Sequence, residues 1–514
     1  MQEFPWKLGT TVALAVVLVG ALATLLWRVD PYFHVRVDGA IYLLTAKSLL
    51  NGDGYTYLDY TFALRPPGFP LLLAPILAVF GTNFAALNLW VSFFAVAAVG
   101  LLFVHGTQRV GPLVAAAATV LVWLNPTFTK TSFEILSDVP SVTLMMLSLV
   151  VETWAMRRPS TRRDVIVGLC VAAAAYVRTT NVLLAPAFIL ARALHLPANE
   201  RRTPRVWAGL LVPSVVVLLA LSPWLLRNQV VQPPAPAEHT IAYSYSTAMW
   251  NLDRADPTSP RYSAAEIFTR IPGQLTQAAN SISLGLSGQK GWLPAALGLA
   301  ALAIIFLRRR EGAEIFALGT IVLLSVFFLY LPRFAIPLLF LGTVAAAEVL
   351  LWGLSRVLPG PVAQVVCATA LVAVALGQPA TPIDGDGVVE RHQSYVRAAE
   401  SIAEFCEDTE TVGALQGAPL SVYLDRPVYS LRFVHARGGL PAIREFLERH
   451  DIQCVFFEPL APAHRRLRPF FQRRFEETKQ VGPYRLFRGR RATAAAAPTR
   501  APDPAAPPAR GSAS

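Results

Sequence analysis

Long apolar runs broken by short, arginine-bearing polar stretches fill the first three quarters of this chain. A hydrocarbon core about 30 Å thick takes about 20 apolar residues as helix to cross. By that measure the pattern predicts spans near 8–27, 84–105, 111–127, 138–156, 206–226, 291–307, 314–331, 335–356 and 361–378. Two more apolar pieces, 165–177 and 182–195, flank the polar stretch Arg178-Thr179-Thr180-Asn181. Each covers only about 20 Å as helix, so they read as a hairpin whose polar tip stops inside protein rather than in lipid. Counting both limbs, the expectation is an α-helical polytopic membrane protein of about eleven segments. The first run is longer than the apolar core of a secretory signal and more spans follow it. It reads as a retained anchor behind a short head containing Lys7.

The polar breaks carry the orientation. With the N-terminus inside, the inner connections hold Arg109, Arg157-Arg158 with Arg162-Arg163, Arg201-Arg202 with Arg205, Arg308-Arg309-Arg310, and Arg356. The opposite topology would put every one of these outside, against the positive-inside bias. An odd number of spans then leaves the C-terminus outside. The chain divides into a transmembrane region, 1–380, with large outer loops at 28–67 and 229–290, an extracytoplasmic domain at 381–490, and a tail at 491–514. In the outer domain a helical stretch at 390–406 precedes strand-like TVGAL, SVYL and PVYSL. A helix near 441–449 leads into the strand-length run DIQCVFFEP, and PYRLF closes the unit. Strands alternating with helices imply a small α/β layer structure. The Ala/Pro-rich tail lacks a core-forming pattern and reads as disordered.

Composition agrees. The chain is 54% hydrophobic and 15% charged, well under the roughly 25% charge of average soluble domains. Its net charge of +12 resides largely in the arginine clusters between spans, and no RNA- or DNA-binding motif accompanies it, which excludes a nucleic-acid partner. Of the four cysteines, Cys170 and Cys367 lie in apolar spans as small buried residues. Cys406 and Cys454 fall in the outer domain, where a disulfide could persist; spacing alone leaves their pairing open.

Candidate chemistry gathers at the outer ends of the spans. Asp38, opening the segment DGAIYLL, reads alone as a helix cap, yet the apolar segment behind it could lie along the membrane surface and hold that carboxylate at the lipid–water boundary. Arg65-Pro66-Pro67 is either a rigid loop exit with a snorkelling arginine or a fixed cation for a phosphate at headgroup level. Asp138, in Ser137-Asp138-Val139-Pro140, is again a helix-start signal, but it opens on the same outer face as Asp38. Arg178 at the hairpin tip, Arg227 in Pro223-Trp224-Leu225-Leu226-Arg227-Asn228 and Arg333 in Leu331-Pro332-Arg333-Phe334 also fall at outer ends, against the charge bias, so belt anchoring or a specific partner must account for them. Asp384-Gly385-Asp386-Gly387 lacks the further ligands of a calcium loop, and no nucleotide-binding glycine loop or nucleophile elbow stands out.

Taken in order, these motifs resemble the polytopic glycosyltransferases of the GT-C superfamily, close to family 39, which includes bacterial protein O-mannosyltransferases and aminoarabinose transferases. The matching residues are Asp38 with Tyr42, Ala46 and Gly52 behind it, Arg65-Pro66-Pro67, Ser137-Asp138-Val139-Pro140, Tyr176-Val177-Arg178, Pro223 to Asn228, and Pro332-Arg333-Phe334-Ala335-Ile336-Pro337. The series extends over about 8–378. There are departures: many relatives have an acid where this chain has Gly39, and aminoarabinose transferases tend to have lysine where it has Arg65. The resemblance implies a GT-C-like fold and an inverting transfer of a sugar from a polyprenyl-phosphate donor to a hydroxyl acceptor (protein, lipid or glycan) on the outer face of the bacterial inner membrane. It implies Asp38 as general base, with Asp138 as the second catalytic acid, orienting the acceptor or holding an arginine. It also implies Arg65, Arg227, Arg333 and Arg178 on the donor phosphate, with Tyr42 and Tyr55 as the aromatic residues of the substrate loop. No cofactor is required on this reading; two acids on one face could hold a divalent cation, although no ligand set of recognisable spacing supports one. A flippase for lipid-linked sugars or a non-catalytic envelope assembly protein are the competing readings.

Overall fold

The computed structural model describes residues 8–58, 60–197, 199–200, 203–231, 244–254, 256–287, 292–326, 331–379, 387–458, 465–481 and 484–489. The head with Lys7, the pair Arg201-Arg202, Asp384-Gly385-Asp386 and the tail 491–514 lie outside the described residues. Helix α1 (Leu8–Arg28) is followed by α2 (Val37–Asn51), a short hairpin of β1 (Thr56–Tyr57) and β2 (Tyr60–Thr61), and α3 (Gly68–Phe80). Then come α4 (Phe84–Val110), α5 (Pro112–Trp123), α6 (Pro126–Thr131), α7 (Asp138–Arg157) and α8 (Thr161–Val177). A 3-10 turn at Thr179–Leu183 leads into α9 (Leu184–His195), then α10 (Pro204–Val231), α11 (Tyr245–Trp250), α12 (Ala264–Ser287), α13 (Trp292–Arg309) and α14 (Gly312–Val326). A second 3-10 turn, Pro332–Ala335, opens α15 (Ile336–Leu354), and α16 (Gly360–Leu376) ends the helical region.

Among the described residues, five helical segments are long and apolar enough to cross a membrane: α1, α4, α7, α10 and Pro332–Leu354. Helices α3, α5, α14 and α16 are apolar but shorter. Two differences from the periodicity are physical. The apolar run expected as one span at 111–127 breaks after Trp123, because the Asn125 side chain accepts from the backbone N–H groups of Thr127 and Phe128 at 3.0 and 3.2 Å and Pro126 starts a new helix. Helix α3 was not anticipated: its 13 residues fall below the length of a span, and it is held against α4 by a bond from Trp90 Nε1 to the Leu72 carbonyl, 2.9 Å. The hairpin of α8 and α9 keeps its polar tip inside. Asn181, 1% exposed, donates to Ser141 Oγ at 2.9 Å and to the Ala174 carbonyl at 3.1 Å.

Buried ion pairs staple the other ends of these helices. Arg192 joins Glu152 at 2.6 Å and Asp164 at 2.8 Å across α7, α8 and α9. Arg109, expected in an open loop, is 5% exposed and bonds Glu311 at 2.6 Å and Glu314. Removing one partner of such a pair strands the other charge in the protein interior and is strongly destabilising.

Residues 387–489 form an α/β layer. Helix α17 (Val388–Phe405) precedes β3 (Thr411–Ala414), α18 (Gly417–Leu424), β4 (Val428–Ser430), α19 (Leu431–Arg449) and β5 (Ile452–Phe457). After a short helix at Arg468–Arg474 come β6 (Glu477–Val481) and β7 (Tyr484–Arg488), and the sheet order is β4-β3-β5-β7-β6. Strands β3, β4 and β5 are parallel and β7 is antiparallel to its two neighbours. The stretch SVYL, expected as a strand, lies in α18. Parallel pairing of β3 with β4 demands a crossover, which a helix supplies. Cys406 and Cys454 form a disulfide joining the end of α17 to β5. The layer sits on α2: α18 packs against it, Lys47 bonds Asp425 at 2.7 Å, and the Phe33 N–H donates to His392 Nδ1 at 3.3 Å.

Candidate active site

Each charged residue of the site is delivered by a local feature of the chain. Asp38 lies in the first turn of α2, where the helix dipole favours a carboxylate. Asp138 begins α7. Arg178 ends α8 in an extended conformation, and Arg333 stands in the Pro332–Ala335 turn. Arg65 comes from the loop that follows the β1–β2 hairpin.

Two glycines make this convergence sterically feasible. A Cβ on Gly39 would come within 2.8 Å of the Ile135 carbonyl oxygen, and one on Gly68 within 2.4 Å of the Tyr176 carbonyl. At the first contact any side chain would force the backbone of α2 or of the Ile135 segment to shift. The second seats the loop of Arg65 directly beside the end of α8 that carries Arg178.

The five charges form one chain of ion pairs. Arg65 Nη2 donates to Asp38 Oδ1 at 2.6 Å, and Arg333 Nη2 donates to the other oxygen, Oδ2. Arg178 Nη1 donates to Asp138 Oδ1 at 2.7 Å, while Arg333 Nε stands 3.7 Å from Asp138 Oδ2. Arg333 therefore links the two acids. Burial alone would raise the Asp38 carboxyl, but Arg65 and Arg333 outweigh it and hold the group well below the usual carboxylate range. Asp138 is the deeper acid, its side chain 4% exposed against 31% for Asp38.

These residues face a cavity of about 310 Å³. One wall is polar: Asp38, Arg65, Ser137, Asp138, Arg178 and Arg333. The apolar lining comes from Val182, Leu183, Phe316, Leu323 and Leu324, with Tyr245 and Met249 of α11 contributing from the second large loop, while the Phe334 ring lies against the Arg178 guanidinium at 4.8 Å. An anion-binding wall facing an apolar one suits an amphiphile with an anionic head.

Residues 64–226 match the family model described as dolichyl-phosphate-mannose-protein mannosyltransferase. Over nearly its whole length the chain resembles ArnT from Cupriavidus metallidurans. It aligns with the crystal structure bound to undecaprenyl phosphate at a TM-score of 0.62 and 15% identity, covering 92% of this chain and 97% of that one. The apo state aligns at 0.61 and 16%, covering 93% and 98%. The chain shares the fold of these two structures. The archaeal oligosaccharyltransferase AglB from Archaeoglobus fulgidus, in complex with an inhibitory peptide and a dolichol-phosphate, is more distant, with a TM-score of 0.50 and 14% identity over 87% of this chain and 69% of that one. No curated protein sequence matches the chain.

Within this fold the structure gathers Asp38, Asp138, Arg65, Arg178, Arg333 and Tyr42 around one cavity. The Tyr42 hydroxyl is 2.9 Å from Ser137 Oγ, and its ring lies under the Arg65 guanidinium at 5.0 Å. Tyr55 and Arg227 are not among the lining residues. Arg227 Nη1 and Nη2 donate to the Phe62 and Tyr55 carbonyls at 3.1 and 3.0 Å, and the Tyr55 hydroxyl donates to the Arg65 carbonyl at 3.0 Å. Together they brace the loop that carries Arg65. Arg36, which sequence reasoning missed, donates to Glu134 at 2.7 Å and ties the start of α2 to the segment before α7. Tyr245 was also missed, because α11 lies in a loop whose path to the cavity leaves no periodic signal. Among the described residues no three His, Cys, Asp or Glu side chains gather to hold a metal ion.

Proposed function

We propose that this protein transfers a sugar from a polyprenyl-phosphate donor to a hydroxyl acceptor, with inversion, at the outer face of the bacterial inner membrane. The observation that carries the reading is the cavity itself, where two acids and three arginines face an apolar wall. ArnT, solved with undecaprenyl phosphate, and AglB, solved with a dolichol-phosphate, support a lipid-phosphate donor for a fold of this kind.

In this reading the donor phosphate rests on Arg65 and Arg333, with Arg178 adjacent, and the prenyl chain follows the apolar wall. The acceptor hydroxyl attacks the anomeric carbon from the side opposite the phosphate and gives its proton to Asp38. As the new bond to the acceptor oxygen forms, the bond from the anomeric carbon to the phosphate oxygen breaks, and polyprenyl phosphate leaves. The leaving group departs as a stable anion, so no acid partner of the glycosidase kind is needed. The arginines stabilise the charge that grows on it. Asp138 positions Arg178 and Arg333.

The arginine-bearing inner connections favour an N-terminus inside. The Cys406–Cys454 disulfide supports an oxidising, extracytoplasmic location for the α/β layer. A direct test is radiolabelled transfer from a panel of polyprenyl-phosphate sugars into envelope extracts, with the wild type and Asp38→Asn in lipid. Transfer by the wild type alone is the expected result. Equal transfer by both folded proteins would remove Asp38 from the chemistry.

A further inference from the structure

We infer that Asp38 and the donor phosphate compete for the same two guanidinium groups, so that the donor binds first and its binding releases the carboxylate the acceptor needs. The inference rests on the donor reading above and concerns how that site is regulated.

The geometry makes Asp38 an occupant of the phosphate site. Each of its oxygens is taken by a different arginine, Oδ1 by Arg65 and Oδ2 by Arg333. A carboxylate so held is a poor base, because both cations stabilise the charged form it would lose on accepting a proton. The cations are braced by further contacts, and the anion is held by the cations alone among the described hydrogen bonds. Arg65 is braced through its own carbonyl by Tyr55 and through its guanidinium by the Tyr42 ring, and Arg333 is set in a turn between Pro332 and α15. Asp38 is the more exposed of the two acids. Arg65 Nη1 has no hydrogen-bond partner among the described residues, and Arg333 Nε has only its 3.7 Å contact with Asp138 Oδ2.

Charge balance points the same way. Three arginines and two acids leave the cluster one anion short, and a sugar–phosphate diester supplies one negative charge. During transfer Asp38 becomes neutral as it takes the acceptor proton, while the phosphate gains a charge as it leaves. The total around the arginines stays at zero, and the guanidinium groups keep a full complement of anionic partners throughout. Before the donor arrives, Asp38 takes the hydrogen bonds of Arg65 and Arg333 while the cluster remains one anion short.

The competition is measurable without any sugar transfer. Undecaprenyl phosphate is titrated into the full-length protein in nanodiscs by calorimetry, comparing the wild type, Asp38→Asn and Glu134→Gln. Glu134 carries an equal charge close by, pairs directly with Arg36 and acts on Arg333 only through space. Asp38→Asn is expected to bind the lipid phosphate about tenfold more tightly than the wild type, with Glu134→Gln changed by less than about threefold. Unchanged or weaker binding by a folded Asp38→Asn overturns the competition. Equal tightening in both variants also overturns it, by reducing the gain to a general charge effect. Binding of undecaprenyl phosphate by none of the three overturns the donor reading, and the competition with it.

Discussion

Replacing Gly39 by alanine tests whether packing at one backbone contact sets the position of the proposed base. The added Cβ would stand 2.8 Å from the Ile135 carbonyl oxygen, where ordinary contact begins near 3.4 Å. The start of α2 or the Ile135 segment must therefore retreat by roughly half an ångström, and overpacking of this kind costs about 1–3 kcal/mol. Asp38 is the neighbouring residue, so its 2.6 Å bond to Arg65 lengthens with the shift. Misplacement of a reacting group by about 1 Å can cost about a hundredfold in rate, so a tenfold to hundredfold loss of transfer is expected. The assay is initial-rate sugar transfer, alongside thermal unfolding in the same lipid. Gly20→Ala is the control, since nothing lies within 4 Å of its Cβ position. Wild-type rate and wild-type melting temperature in Gly39→Ala would refute the reasoning.

Three further outcomes follow from the same geometry. Arg333→Lys keeps the charge but lacks the planar fork that reaches both acids. Transfer should fall by roughly 30-fold or more, the equivalent of one charge-assisted bond of about 2 kcal/mol, and activity within threefold of wild type would contradict the bridging role. Arg227→Ala removes two bonds to the β1–β2 hairpin, so hydrogen exchange across residues 53–64 should accelerate while the helical core is unchanged; unaltered exchange would make Arg227 something other than a brace. His392 sits between Phe33 and Tyr423 where the α/β layer meets the first loop, and burial lowers its pKa below the ordinary 6.5 despite Asp30 nearby. A depressed value means that the stability it contributes is present above 6.5 and is lost as pH falls through the lower folded value. Protection of the α17 amides, corrected for the intrinsic slowing of exchange at lower pH, should therefore fall between pH 7.5 and 5.5 in the wild type but not in His392→Gln, and equal pH dependence in both would exclude this histidine as the cause.

The sequence made the charged cluster legible because its members sit at chain positions with strong local signals. Asp38 and Asp138 precede apolar helices, Arg65 precedes two prolines, and Arg178 and Arg333 interrupt apolar runs where no charge belongs without a partner. Pairing was not legible. Nothing in the order of residues says that Arg333 links both acids, or that Arg227 turns back to the Tyr55 and Phe62 carbonyls instead of entering the cavity. The apolar wall from α14 was hidden for a different reason: Phe316, Leu323 and Leu324 look the same in sequence whether they face lipid, protein or a lipid substrate. Helix α3 and the break at Asn125 escaped a reading based on span length, which registers neither a short helix nor a side-chain cap. SVYL was misread because its β-favouring residues are overridden by the need for a crossover between parallel strands. Gly39 was visible as a departure from related sequences, but the Ile135 carbonyl it packs against lies nearly a hundred residues away and only the fold brings the two together.

The measurement that bears most directly on the account is a cryo-electron microscopy structure of the full-length protein in nanodiscs with undecaprenyl phosphate. The account predicts the phosphate in hydrogen-bond contact with Arg65 and Arg333, the prenyl chain along the wall formed by Phe316, Leu323 and Leu324, and Asp38 released from both arginines. A lipid phosphate bound elsewhere, with Asp38 still held between Arg65 and Arg333, would contradict it.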